Sequence, residues 1–166
     1  MRALCWFVLF CLMVTGFLVS PRPGAADEVI DRVVAFVGDH AITLAELDAE
    51  YKRRVDAGLD TTREAVLATM INRFLLLREA RRMRIDAPDD DTLVREYIEL
   101  KVRAFVKVRE NEVQAYYAEH REEFGNVPYE KVKDTIKTLL KEREVNRLLR
   151  AHIEKLREAA YIKVLL

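Results

Sequence analysis

VVAFVGDHAITLAELDAEY, from Val33 to Tyr51, changes its period halfway along. Val33 to Val37 is a β-branched and aromatic run, Gly38-Asp39 supplies a turn, and Ala41-Ile42 resumes the run, which predicts a β-hairpin. Thr43 and Glu46 then stand at capping-box spacing, so a helix starts at Leu44. The last residues, AAYIKVLL from Ala159 to Leu166, alternate again: Ile162, Val164 and Leu166 fall on one side of a strand. A lone strand carries unpaired backbone groups that are costly when buried and adhesive when exposed. The hairpin is the other strand-like segment, so the first and last elements are predicted to share one sheet. On that arrangement Ile162, Val164 and Leu166 all turn toward the core.

Working outward from the hairpin, the first helix runs to about Asp56 and stops at Gly58. Thr61 and Glu64 repeat the capping box and open a second helix. That helix carries Val66, Leu67, Met70, Ile71, Phe74, Leu75 and Leu77, an apolar face wide enough for the central buried helix. Asp89 to Asp91 cap a third helix with Leu93, Val94, Tyr97, Ile98 and Val102 on one side. Phe105 to Val108 reads as a short extended joint. A fourth helix holds Val113, Tyr116 and Tyr117 and ends near Phe124-Gly125, although Arg109-Glu110-Asn111 gives it no Ser or Asp cap. Pro128 suits the first turn of the last helix. That helix extends from about Tyr129 to Ala159, ~45 Å at ~1.5 Å per residue. Its apolar positions keep helical spacing except for a slip between Leu140 and Val145. The fold class is therefore mainly α with a small β-sheet: an N-terminal β-hairpin paired with the C-terminal strand, and about five helices.

The first 26 residues are of another kind. Arg2 precedes an apolar run from Leu4 to Val19, shorter than the ~20 residues of a spanning helix, then Pro21 and Pro23 break it. Gly24-Ala25-Ala26 places small residues at the −3 and −1 positions of a cut before Asp27, the layout of a secretory signal peptide. Both cysteines, Cys5 and Cys11, lie inside this segment, so residues 27–166 hold no disulfide and no thiolate. Cleavage removes two arginines and no acid, so 28 basic residues become 26 against 28 acidic, net −2. That balance argues against a nucleic-acid partner, which calls for a basic excess. Residues 27–166 suit a single domain, divided into 27–124 with the hairpin and four helices, and 125–166 with the long helix and closing strand.

Reactive chemistry is not legible in this chain. His40, His120 and His152 are far apart, and no neighbouring pair has ligand spacing. Asp89-Asp90-Asp91 lacks the rest of a calcium loop and reads as a helix cap. No Gly-rich phosphate loop and no Gly-x-Ser-x-Gly nucleophile motif occurs. No catalytic, cofactor-binding or metal-binding residue is assigned, and no cofactor is expected. What remains is surface. Met70, Phe74, Met83, Tyr97, Phe105, Tyr116, Tyr117 and Phe124, with Tyr129 beside them, are the candidates for contact with a polypeptide. Methionine and aromatic side chains suit adaptable apolar binding, and those that are not core would line a groove.

Four segments together have a familiar order. They are Val34 to Leu47, the Leu- and Arg-rich Met70 to Arg82, the Val-x-x-x-Glu-Val-x-x-Tyr-Tyr of Val108 to Tyr117, and the Ala-Tyr-Ile-Lys-Val-Leu of Ala160 to Leu165. In this order the chain resembles the chaperone core of SurA-type periplasmic proteins, which escort outer-membrane proteins in Gram-negative bacteria. The resemblance implies a periplasmic protein that binds unfolded outer-membrane or secreted polypeptides, without nucleic acid and without stable membrane insertion once the signal is cut. It departs from the family at one place. Members usually carry one or two parvulin-type prolyl isomerase domains between the Tyr-Tyr helix and the final helix, and such an insertion needs roughly 100 residues. Here only Gly125, Asn126 and Val127 separate Phe124 from Pro128. The resemblance therefore implies binding without isomerase catalysis. A scaffold that holds one defined partner is the alternative, and the sequence allows a homodimer.

Overall fold

The computed structural model of the protein describes residues 31–166. The expected signal peptide, residues 1–26, and its cut before Asp27 lie outside the described residues. The chain begins with β1 (Val33–Val37) and β2 (His40–Thr43). Gly38 joins them at φ 64°, a conformation that side chains with a Cβ rarely adopt. Helices α1 (Leu44–Asp56), α2 (Arg63–Arg82) and α3 (Asp90–Lys101) follow. After a single 3₁₀ turn (Arg103–Phe105) come α4 (Glu110–Glu119), the one-turn α5 (Arg121–Phe124), α6 (Tyr129–Glu158) and β3 (Ile162–Val164). The protein is mainly helical with one small antiparallel sheet in the order β2-β1-β3.

First and last elements do share that sheet. Ala35, Phe36 and Val37 lie opposite Val164, Lys163 and Ile162. Gly38 N–H donates to the Tyr161 carbonyl and Leu165 N–H to the Val34 carbonyl, each at 2.8 Å. The expected burial of the tail is only partly met. Ile162 packs against the core, whereas Val164 is 52% exposed and Leu166 49%. β3 is an edge strand, and past Ile162 no described element covers it.

Caps explain where the helices start. Thr43 Oγ1 accepts from Glu46 N–H at 3.3 Å, and the Glu46 carboxylate accepts from Thr43 N–H at 2.9 Å, closing the capping box. At α2 the cap is Thr62, not Thr61. Thr62 is extended and its hydroxyl accepts from Ala65 N–H at 3.2 Å, so Glu64 falls one place too early to close a box. Asp89 caps α3 through Thr92 N–H at 2.8 Å. At α4 the Glu112 carboxylate takes Arg109 N–H at 2.8 Å, which starts the helix without a Ser or Asp cap. Pro128 is the residue before α6 rather than within its first turn. The joint is shorter than expected, because Phe105 closes the 3₁₀ turn and extended backbone begins at Val106.

α6 is the spine. Ile136 joins Val113 and Tyr117 of α4, and Val145 joins Val102 and Val106 at the joint. Leu149 and Ile153 pack on Leu76, Leu77, Ala80, Leu93 and Tyr97 of α2 and α3. Leu156 reaches the set formed by Val34, Val37, Leu47, Ile71 and Leu75 beneath the sheet. At ~100° per residue, Ile136 and Val145 point about 180° apart around α6. The slip in its apolar spacing is thus a change of face. The N-terminal half of α6 packs on α4, and the C-terminal half packs the opposite way.

Candidate functional site

Where α6 changes face, a groove opens. Its walls are the joint, α4 and α6, its volume is about 830 Å³, and Phe105, Val106, Val108, Tyr116, Leu140 and Leu148 supply its apolar surface. Arg143 and Arg147 sit on the α6 face that carries Ile136 and Leu140 further up, beyond the end of the α4 contact. Phe105 is 72% exposed at one edge. A smaller hollow of about 260 Å³ lies on its other side, lined in part by Lys101, Leu148 and Lys155. The joint is braced from behind. Arg103 Nη2 donates to Glu142 Oε2 at 3.0 Å, and its Nε lies 2.7 Å from Glu99 Oε1 without the alignment of a hydrogen bond. The Arg103 guanidinium holds the Glu142 carboxyl below the usual carboxylate range.

A second groove, about 530 Å³, lies between the hairpin, α1 and α2. Ile42, Met70, Phe74 and Leu77 form its apolar part, and the His40 ring stacks on Phe74 with centroids 4.3 Å apart. Its arginines are engaged by its own acids, Glu50 with Arg53 (2.6 Å) and Arg54 (2.9 Å), and Arg73 with Asp91 (2.6 Å), and its third acid, Glu46, makes three carboxylates for three arginines.

The candidate side chains therefore divide. Met70 and Phe74 line the hairpin groove, and Phe105 and Tyr116 line the joint groove. Tyr116 is held from two sides, by the His120 ring at 3.9 Å and the Arg143 guanidinium at 5.1 Å. Tyr97 and Tyr117 are core, 3% and 9% exposed. Each is tolerated there because its hydroxyl finds a partner: Tyr97 lies 2.8 Å from His152 Nε2, and Tyr117 donates to the Val127 carbonyl at 2.7 Å. Phe124 is half-buried against Tyr117, with ring centroids 5.4 Å apart. Tyr129 also packs on Tyr117, and the Glu110 carboxylate that accepts its hydroxyl pushes the phenol up to about 12. Met83 is exposed at the end of α2 and lines neither groove. Not among the sequence candidates are Leu140, Leu148, Lys107 and Arg109; the slip in α6 is the signal that marks the first two.

The Tyr97–His152 pair makes stability depend on pH. Burial holds the His152 imidazole below its ordinary value, nearby Lys101 and Lys155 push it the same way, and Glu79 opposes them. The folded protein thus favours the neutral ring. Its contribution is full above the ordinary imidazole value of ~6.5 and is lost as pH falls through the lower folded value. Thermal unfolding should show a lower midpoint at pH 5 than at pH 7.5, with a smaller drop in His152→Gln. An equal drop in that variant would assign the dependence to other groups.

Among the described residues no helix is long and apolar enough to cross a membrane, and no three His, Cys, Asp or Glu side chains converge on a metal position. Comparison of the chain with protein-family models finds no match, and comparison with curated proteins finds none.

Proposed function

We propose that the protein is a chaperone that captures unfolded polypeptide in the joint groove and catalyses no reaction. The observation that carries this reading is Phe105, an aromatic side chain left 72% exposed at the rim of an open groove with an apolar floor. Large apolar side chains grouped around a concavity mark a binding surface. The resemblance to the SurA-type core supports the same reading. It extends it to an exported protein of the periplasm whose clients are outer-membrane or secreted proteins. Capture there is weak and exchange fast, since no nucleotide drives release.

The purified protein should suppress light scattering by a diluted, unfolded outer-membrane protein. Phe105→Ser should need several-fold more protein for the same effect, and its fold should persist because the ring is mostly in water already. Refolding limited by X-Pro isomerisation should proceed at the uncatalysed rate. Undiminished suppression by Phe105→Ser would move the site elsewhere, and capture of one folded partner instead of unfolded chains would favour a scaffold.

A further inference from the structure

We propose that the joint groove selects extended segments in which carboxylates flank an aromatic or large apolar side chain, an inference that rests on the capture of polypeptide proposed above. The argument is one of uncompensated charge. Lys107, Arg109 and Arg143 line the groove, and Lys101 and Lys155 line the hollow behind Phe105. None of these five forms an ion pair among the described residues. Three acids line the same walls, and one of them is matched by a cation outside these five. Glu112 holds the Arg109 backbone N–H that starts α4, and Glu144 holds Arg147 at 2.6 Å. Glu112, whose bond to a neutral N–H leaves its charge in place, and Glu119 are the two carboxylates that stand against these five cations, a surplus of three.

The hairpin groove makes the contrast. Its arginines are paired with its own acids, so it has apolar surface without a residual field. The surplus at the joint is also local, because residues 27–166 carry net charge −2. Phe105 lines both the groove and the hollow, so cations stand to either side of it, and an extended chain advances ~3.3 Å per residue. An aromatic side chain against Phe105 and Tyr116 would therefore bring carboxylates two residues to either side among lysines and arginines. A basic segment would meet repulsion at the same points.

Fluorescence anisotropy of labelled heptapeptides tests this. One peptide has phenylalanine at its centre and aspartate two residues to either side; a second has asparagine there, and a third lysine. Each exposed ion pair contributes a factor of about 1.5–5 at low salt. The aspartate peptide should therefore bind about fivefold tighter than the asparagine peptide at 25 mM NaCl, and the lysine peptide weakest. The difference should shrink at 300 mM NaCl, where screening shortens the range of charge interactions. Lys107→Gln/Arg109→Gln, both exposed and without ion pairs, should reduce the ratio of the aspartate peptide's affinity to the asparagine peptide's. If the unfolded client is captured but the aspartate and asparagine peptides bind equally, or the double variant keeps the full advantage, the charge selection is wrong and capture stands. If neither client nor any peptide binds, the capture reading fails and the selection with it.

Discussion

Removing Tyr161 to Leu166 should lower the midpoint of thermal unfolding by roughly 10–20 °C and leave a species that self-associates. The segment contributes the antiparallel pairing of Ile162 to Val164 with β1, the two flanking hydrogen bonds at Gly38 and Val34, and the packing of Ile162 on the core. Each hydrogen bond is worth about 0.5–1.5 kcal/mol net, and a half-buried isoleucine less than the ~1.5–3 kcal/mol of full burial. The sum, about 3–5 kcal/mol, is a large part of the ~5–15 kcal/mol that holds a domain together. Truncation also frees an edge of β1 for pairing with another chain. Ile162→Asp should reproduce much of the loss, whereas Lys163→Ala should change little, because Lys163 is exposed. Circular dichroism on heating and light scattering read the two effects. A truncated chain that melts within a few degrees of the full one would show that β3 adds nothing to the sheet.

Val145→Asp should separate the two halves of the molecule that α6 connects. Val145 is 3% exposed, enclosed by Val102 and Val106 with Ile98, Leu148 and Leu149 around them. A carboxylate there would lose its hydration, and the nearby Arg103 is already engaged by Glu142 and Glu99. The cost, roughly 3–5 kcal/mol by analogy with an uncompensated buried charge, falls where the joint meets α6. Trypsin should then cut at Lys107 and Arg109 at least tenfold faster than in the unaltered protein, with fragments identified by mass. Val145→Ala should accelerate cutting less, since it leaves a small cavity and no charge. Equal cutting rates in all three proteins would mean that the joint is held by something other than this cluster.

The sheet and most helix boundaries could be read from the sequence because their signals are local. Thr43 and Glu46 sit three residues apart and touch, and Gly38 takes a backbone conformation that few other residues would. Sequence and structure part where two local solutions compete. Thr61 and Thr62 are the same cap-forming residue type side by side, and the hydroxyl that takes a helix N–H is that of Thr62. Ile162, Val164 and Leu166 fall on one side of the tail, but burial of Val164 and Leu166 requires a covering element that spacing cannot report. The site was harder for the same reason. Tyr97 and Tyr116 look alike in sequence, yet Tyr97 is buried because His152, 55 residues away, meets its hydroxyl, while Tyr116 faces a groove. The slip after Leu140 is visible in the sequence, but not that it turns α6 half-way round and sets Arg143 over the Tyr116 ring at the groove wall.

The pairing of β1 with β3 also sets the order of the protein's own biogenesis. About 125 residues separate Val37 from Ile162, so this sheet has contacts of long range, the kind that slow folding. At ~5–20 residues per second, roughly 6–25 s of synthesis pass between the two strands. Through that interval the nascent chain holds β1 with a vacant edge, next to the apolar stretch of α2 whose final partner, Leu156, has not yet been made. Folding of the N-terminal half cannot be completed domain-first; it waits on the last helix. Until then the newborn protein is itself an extended chain with unsatisfied apolar surface, and so a substrate for the same kind of protection that its mature groove is proposed to give to others.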